Sequence, residues 1–162
     1  MTCSLDATLI AIGSDHVGFQ LKVKVGEYLT DRGAIVLDFG TDSDLSVDYP
    51  MYCEPVAQAV ARGAATFGVV IGGSGQGEQI VANKVPGVRA ALCYNRPIAE
   101  LARSHNDANV LALGARFLED EMAFAVVDAF FSANFEGGRH ARRVAQIGQV
   151  EEGVSFIRDA AT

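Results

Sequence analysis

The stretch FGVVIGGSGQGEQ, from Phe67 to Gln79, joins an apolar run to a glycine-rich loop and a polar segment. Its first five residues include two valines and an isoleucine, which is typical of a strand buried on both faces of a sheet. Four glycines follow between positions 72 and 77, and residues 78–85 have the pattern of a short helix. A buried strand, a tight glycine loop and a helix form the repeating unit of a parallel α/β sheet.

The same alternation runs through most of the chain. Short apolar runs that predict strands cover residues 7–14, 34–40, 67–73, 88–93 and 109–114. Segments with helical spacing cover residues 18–33, 51–63, 78–85, 96–106, 119–133 and 139–152. We therefore expect an α/β fold with a five-stranded, mostly parallel sheet covered on both faces and a C-terminal helical extension. The sequence predicts a single domain over residues 1–162, with a core from about 7 to 147 and a tail from 148 to 162.

Composition narrows the class of protein. At 162 residues and 49% hydrophobic, the chain can bury a substantial core. No apolar run approaches the roughly 20 residues that span a bilayer, and no signal segment is evident, so we expect a soluble, cytoplasmic protein. Cys3, Cys53 and Cys93 are odd in number and widely spaced, which predicts reduced thiols instead of disulfides or a metal site.

The net charge of −7 argues against general binding to nucleic acid or to acidic membranes. Any anionic ligand must therefore be held by a local cluster of cations. The dense cluster is RHARR, from Arg139 to Arg143. Its alternative interpretation is a solvated helix face.

The glycine loop does not match a nucleotide site. Gly72 and Gly77 have the G-x-x-x-x-G spacing of a Walker loop, but Glu78 and Gln79 replace the lysine and the Ser/Thr that such a loop requires. The dinucleotide fingerprint also fails, because it would need a glycine at position 78.

The same loop has the groups needed for proton transfer. Its backbone N–H groups can form an anion-binding nest, and Ser74 adds a hydroxyl. Glu78 falls in the first helical turn, where an ionised carboxylate is favoured and could act as a general base. A base beside such donors can remove a proton next to a carbonyl while the donors stabilise the enediolate. The alternative is that Glu78 only caps the helix.

Ligands of parallel sheets bind at the carboxyl ends of the strands. That rule selects residues 13–18 after the first strand and 114–116 after the fifth, together with the glycine loop. His105 precedes the fifth strand, so it should lie at the opposite edge of the sheet. If His105 joins this site, it should come from another subunit.

Five segments together resemble a known family, the type B ribose-5-phosphate isomerases, which also include subunits of galactose-6-phosphate isomerase. The matching segments are GSDHVGFQLK, DYP, GGSGQGEQIVANKVPGVRAAL, RSHNDANVLALGAR and RHARR, in the same order over roughly residues 8–145. The resemblance implies a Rossmann-like three-layer sandwich, no metal or other cofactor, and a homodimer with shared active sites that could pair into a tetramer.

The resemblance also assigns the base. One branch of the family uses a cysteine where this chain has Gly72, and the other uses a glutamate at the position of Glu78. The chain is similar to the glutamate branch, which implies that Glu78 is the catalytic base.

Other roles follow by position. Asp15 and His16 match an Asp-His pair near the substrate hydroxyls and the phosphate, although Asp15 could also cap the next helix. His105, implied in opening the furanose ring, and Asn106 match residues of the partner subunit. The implied enediolate hole and substrate-binding loop comprise Gly73, Ser74, Gly75, Gln76 and Gly77. The implied phosphate ligands are Arg116, Arg139 and Arg143.

The resemblance thus implies an aldose–ketose isomerase acting on ribose 5-phosphate and ribulose 5-phosphate. Two alternatives stay open on the sequence. The substrate could be a six-carbon sugar phosphate such as allose 6-phosphate or galactose 6-phosphate, or the chain could be a non-catalytic phosphosugar-binding or flavodoxin-like module.

Overall fold

The computed structural model describes residues 5–157, so Cys3 lies outside the described residues. The strands are β1 (Leu9–Ser14), β2 (Ile35–Asp38), β3 (Phe67–Gly72), β4 (Ala90–Leu92) and β5 (Val110–Gly114). The helices are α1 (Phe19–Thr30), α2 (Pro50–Ala61), α3 (Gln76–Ala82), α4 (Arg96–Asn106), α5 (Asp120–Ser132) and α6 (Arg139–Glu151). Every predicted strand and helix is present.

The five strands form one sheet in the order β2-β1-β3-β5-β4, and every pair is parallel. The register aligns Ser14 with Ile71, and Gly72 with Gly114. The loops that follow β1, β3 and β5 therefore leave the sheet side by side at its carboxyl edge. The crevice between β1 and β3, where the strand order reverses direction, is the usual ligand position in such sheets.

Helices cover both faces of the sheet. On one face, Val69 and Ile71 of β3 pack with α1, α4 and α5, where Phe130 is fully buried. On the other face, Val70 packs with Val56 of α2. Successive side chains of β3 point to opposite faces of the sheet, so its apolar residues are divided between two cores. This confirms the three-layer sandwich.

Both cysteines in the described part of the chain are buried and free, one in each core. Burial raises the pKa of Cys93 to about 12, and burial, with smaller effects from Glu78 and Asp15, raises the pKa of Cys53. Neither thiol is therefore a thiolate at neutral pH, which agrees with their interpretation as ordinary reduced thiols.

Helix α6 is the predicted C-terminal extension, and it packs on α4. His140 is its buried residue, whereas Ile147 and Val150 are exposed. Among residues 5–157, no helix is both long enough and apolar enough to cross a bilayer.

Candidate active site

The site begins with the glycine loop between β3 and α3. Helix α3 starts at Gln76, two residues before the predicted start, and this places Glu78 in its first turn. The Glu78 side chain folds back over the end of β3 and is 3% exposed. A Cβ atom at Gly72 would stand 1.8 Å from Glu78 Oε1, so no larger residue fits at position 72 with the carboxylate in this place.

The environment of Glu78 raises the pKa of its carboxyl. Burial is the largest cause, and the nearby Asp15 charge acts in the same direction. The backbone N–H groups of Glu78 and Gly75 oppose this by stabilising the ionised form. A carboxyl whose pKa is raised toward the working pH is suited both to accept and to return a proton.

Asp15 and His16 follow β1 directly. Asp15 is 7% exposed, and its Oδ1 accepts a hydrogen bond from the N–H of Gly18 at 2.8 Å. Asp15 does not cap α1, whose N-cap is Gly18 without a side-chain cap hydrogen bond; its Oδ1 instead closes the turn that precedes the helix. His16 Nδ1 accepts from the N–H of Val47 at 3.2 Å, so the neutral ring carries its proton on Nε2 as a donor.

These groups surround one small cavity at the carboxyl edge. Its volume is about 340 Å³, within the range of small-ligand sites. The arginine predicted after β5 joins it, since the Arg116 guanidinium lies 3.3 Å from where a Cβ of Gly73 would stand. The cavity is lined by Asp15, His16, Val17, Tyr49, Gly73, Ser74, Gly77, Glu78 and Arg116.

Two hydrogen bonds hold the middle of the glycine loop. Tyr94 OH donates to the backbone oxygen of Ser74 at 2.7 Å, and the N–H of Gln76 donates to Ser74 Oγ at 3.3 Å. The Ser74 hydroxyl oxygen thus accepts a hydrogen bond within the loop, and the hydroxyl hydrogen can donate to another group. Gly75 has a φ of +77°, a conformation that favours glycine.

A second cluster lies where α4 ends and α6 begins. The rings of His105 and His140 stack with centroids 4.0 Å apart and 13° between their planes. Arg139 Nε donates to His140 Nε2 at 3.3 Å, which requires that nitrogen to be unprotonated. The pKa of His140 is lowered by desolvation and by the neighbouring His105 and Arg139, and Arg143 acts in the same direction.

Glu136 completes this cluster, with its Oε2 at 3.8 Å from His105 Nε2 and 3.6 Å from His140 Nε2. Ligand atoms of the three residues lie within 4.8 Å of one another, as in a metal site. The geometry fits an ion poorly, however. Imidazole lone pairs lie in the ring planes, so one ion cannot lie in both of two nearly parallel rings, and His140 Nε2 already accepts from Arg139.

The predicted residues therefore fall into two groups. Most of the residues after β1, β3 and β5 line the cavity, although Gly75 and Gln76 of the glycine loop do not. The second group lies at the end of α4 and on α6, and comprises His105, Asn106, Arg139 and Arg143. His105 precedes β5 and Arg116 follows it, and the five residues of that strand span about 16 Å. A single chain does not bring the two groups together.

The structure also identifies two supporting residues. Tyr94 contacts the loop from a position 20 residues away in sequence, and nothing in the sequence around it signals this contact. Asn83 exchanges two hydrogen bonds with the backbone of Ala90, at 2.9 and 2.8 Å, and so ties α3 to the edge strand β4.

Comparison with known proteins places the chain in a family. Residues 10–147 match the family model described as Ribose/Galactose Isomerase. The chain is 48% identical over 143 residues to ribose-5-phosphate isomerase B of Escherichia coli, covering 88% of this chain and 96% of that protein.

Solved structures give the same result. The ribose-5-phosphate isomerase B of Clostridium thermocellum superposes with a TM-score of 0.89 at 49% identity, covering 91% of this chain and 100% of that one. The enzyme of Mycoplasma genitalium with bound ribulose 5-phosphate superposes with a TM-score of 0.88 at 41% identity, covering 92% and 99%. From these matches over most of its length, the chain belongs to the ribose/galactose isomerase family.

Proposed function

We propose that this chain is an aldose–ketose isomerase that interconverts ribose 5-phosphate and ribulose 5-phosphate, with Glu78 as the proton-transfer base. The observation that carries the proposal is the buried Glu78 carboxylate beside the glycine loop, in a cavity of small-ligand size. The E. coli and C. thermocellum relatives, at 48% and 49% identity, support the reaction. The ribulose 5-phosphate bound to the M. genitalium enzyme supports the substrate.

Glu78 acts on the open-chain sugar. Its carboxylate removes the proton from C2 of the aldose, the electrons move to the carbonyl oxygen, and a cis-enediolate forms. A proton passes from the C2 hydroxyl to the C1 oxygen, and the same carboxyl then returns its proton to C1, which yields the ketose. Burial supports this role because a raised pKa brings the carboxyl closer to the working pH, where proton transfer in both directions is favoured.

The loop stabilises the enediolate oxygen. Ser74 Oγ accepts from the N–H of Gln76, so the serine hydroxyl hydrogen is available to donate to the substrate. The N–H of Gly77 belongs to the same turn, and Gly77 lines the cavity. One preorganised donor to an oxyanion contributes about 10²- to 10³-fold in kcat, so base and donors in one loop are both needed.

The remaining residues hold the substrate. The Arg116 guanidinium, which is cationic, and the neutral His16 ring, with Nε2 as its donor, both face the cavity, and we assign the phosphate to them. The second oxygen of Asp15 is assigned to the substrate hydroxyls, since Oδ1 is used by Gly18.

The second cluster completes the site across a dimer. We assign ring opening to His105, assisted by Asp15, and further phosphate contacts to Arg139 and Arg143, which lie one turn apart on α6. Each cavity would then receive these residues, with Asn106, from the partner subunit.

An open groove supports a second copy of the chain. It has a volume of about 710 Å³, runs along β4 between α4 and α6, and includes Asn106 in its lining. Leu101 and Val150 line it while 48% and 58% exposed, and with the exposed Ile98 and Ile147 they form a contiguous apolar surface of the kind that marks interaction sites. Because Asn106 lies in this groove, a partner seated there would contact the second cluster.

Turnover of a panel of five- and six-carbon aldose phosphates tests the proposal. We expect the highest kcat/KM with ribose 5-phosphate, because the cavity is at the small end of ligand sites. A higher kcat/KM with allose 6-phosphate or galactose 6-phosphate would assign a six-carbon substrate instead. Binding of these sugars without any turnover would indicate a phosphosugar-binding protein.

A further inference from the structure

Tyr94 lies just after β4, outside the predicted site residues. Its hydroxyl donates to the backbone oxygen of Ser74 at 2.7 Å. Its ring and that of Phe117 pack edge to face, with centroids 6.2 Å apart and 79° between the planes. The ring is thus fixed from one side, and its hydroxyl approaches the glycine loop from behind.

The contact acts on a peptide unit that also faces the base. The oxygen of Ser74 and the N–H of Gly75 belong to the same trans peptide, so they point in opposite directions. With the oxygen turned toward Tyr94, the Gly75 N–H is turned away from it. Gly75 is the N-cap of α3 and Glu78 is the third residue of that helix, with its carboxylate folded back over Gly72, which is the arrangement of a capping box. The Gly75 N–H accordingly acts to lower the pKa of the Glu78 carboxyl.

Packing leaves this peptide little freedom. A Cβ at Gly114 would stand 2.5 Å from the oxygen of Ser74, and a Cβ at Gly75 would stand 2.6 Å from Leu92 Cδ1 and 2.8 Å from the oxygen of Leu113. The peptide therefore lies directly on the end of β5. A hydrogen bond to its oxygen also polarises the peptide and strengthens its N–H as a donor.

We propose that Tyr94 is a positioning residue: its hydroxyl orients and polarises the Ser74–Gly75 peptide so that the Gly75 N–H is held toward the Glu78 carboxylate. This inference rests on the proposed role of Glu78 as the base. Tyr94 would then act on Glu78 through the glycine loop and would not itself contact the substrate.

Other groups around Glu78 are separate from this contact. Asp15 and His16 face it from the end of β1, Tyr49 and Cys53 from α2 and its start, and Arg116 from the loop after β5. None of these residues bonds to Tyr94, whose hydrogen bond goes to Ser74. Removal of the Tyr94 hydroxyl therefore changes the Ser74–Gly75 peptide beside Glu78 and leaves the charged groups around the carboxylate in place.

The test compares Tyr94→Phe with Tyr28→Phe in the full-length protein. Tyr28 is a matched control, because its hydroxyl donates to Asp128 at 2.9 Å between α1 and α5, away from the loop. We measure kcat and KM against pH, and we titrate the Glu78 carboxyl directly by ¹³C NMR. Circular dichroism and melting confirm that each variant is folded.

Without the hydroxyl, the Gly75 N–H is a weaker donor and the carboxylate is less stabilised. In Tyr94→Phe, the NMR midpoint of Glu78 and the acidic limb of kcat/KM should both move to higher pH. At the optimum, kcat should fall about 3- to 10-fold, as for the loss of one hydrogen bond, with KM within about twofold. Tyr28→Phe should leave both midpoints unchanged.

Failures of the two proposals are distinguishable. A folded Tyr94→Phe variant with an unmoved NMR midpoint overturns the role of Tyr94, whatever its activity. An active Glu78→Gln variant overturns the role of Glu78 as the base, and the NMR midpoint still decides whether Tyr94 acts on that carboxyl. If Tyr94→Phe does not fold, the proposed local role is overturned in favour of a structural one.

Discussion

The carboxylate of Glu78 occupies the space that a side chain at Gly72 would need. A Cβ on Gly72 would stand 1.8 Å from Glu78 Oε1 and 2.1 Å from its Cδ. The two positions are six residues apart, and they are brought together by the turn between β3 and α3. In this geometry, a cysteine at position 72 and a glutamate base at position 78 exclude each other.

Replacing Gly72 with alanine should therefore displace the base. We expect Gly72→Ala to fold and to lose at least about 100-fold in kcat, because a carboxylate moved away from C2 cannot transfer the proton. Gly26→Ala is the matched control, since a Cβ there meets nothing within 4 Å. Gly26 lies within α1, so this control should keep its activity and gain slightly in melting temperature. Wild-type kcat in Gly72→Ala would show that the carboxylate does not act from this position.

Removing the charge of Glu78 should abolish turnover. Glu78→Gln keeps the size of the side chain but cannot accept a proton, so kcat should fall by about 10²- to 10⁴-fold while substrate still binds. Glu54→Gln, on an exposed position of α2, controls for the loss of one acidic charge. More than about a tenth of wild-type kcat in Glu78→Gln would remove Glu78 as the base.

The same substitution should stabilise the protein at neutral pH. The pKa of Glu78 is raised in the folded state, mainly by burial, so ionisation of this group disfavours folding once the pH exceeds its ordinary pKa of about 4.3. Glu78→Gln removes that effect. We expect a higher melting temperature than wild type at pH 7, and a difference that narrows as the pH falls toward about 4. A difference that grows toward low pH would contradict the raised pKa.

The sharing of sites between subunits can be tested by mixing two inactive variants. A hybrid of one Glu78→Gln chain and one His105→Ala chain has one site with both residues intact. Random pairing makes about half of the dimers hybrids, each with one of two sites active, so about a quarter of wild-type activity should return. Demonstrated exchange of subunits without any recovery would place both residues in the same chain's site.

The phosphate contacts of α6 should affect binding more than chemistry. Arg139→Ala should raise KM about 10- to 100-fold, the effect of losing a charge-assisted hydrogen bond, with a smaller change in kcat. Arg142→Ala, on the same helix and also exposed, is the control that should leave KM near the wild-type value. Equal effects of the two substitutions would indicate a general influence of charge instead of a specific contact.

Much of the fold could be predicted from the sequence because its signals are local. An apolar run such as residues 67–71 can satisfy its backbone and bury both faces only as a central strand, and the glycines that follow permit a tight turn. The position of Glu78 in the first turn of α3 follows from the same local pattern. Because the carboxyl ends of parallel strands meet at one edge of a sheet, the sequence also predicted that Asp15, Ser74 and Arg116 lie close together, and the three line one cavity.

Other features depended on tertiary structure because they join distant parts of the chain. The strand order places β5 between β3 and β4, and this brings Tyr94 behind the loop at Ser74. The stacking of His105 on His140 requires α6 to return to the end of α4. Sequence spacing carries no signal for such contacts, since the packing of helices on the sheet sets them. The sequence by itself determined the elements and the residues at the carboxyl edge, whereas the tertiary structure decided how Gly72 makes room for Glu78 and what holds the loop in place.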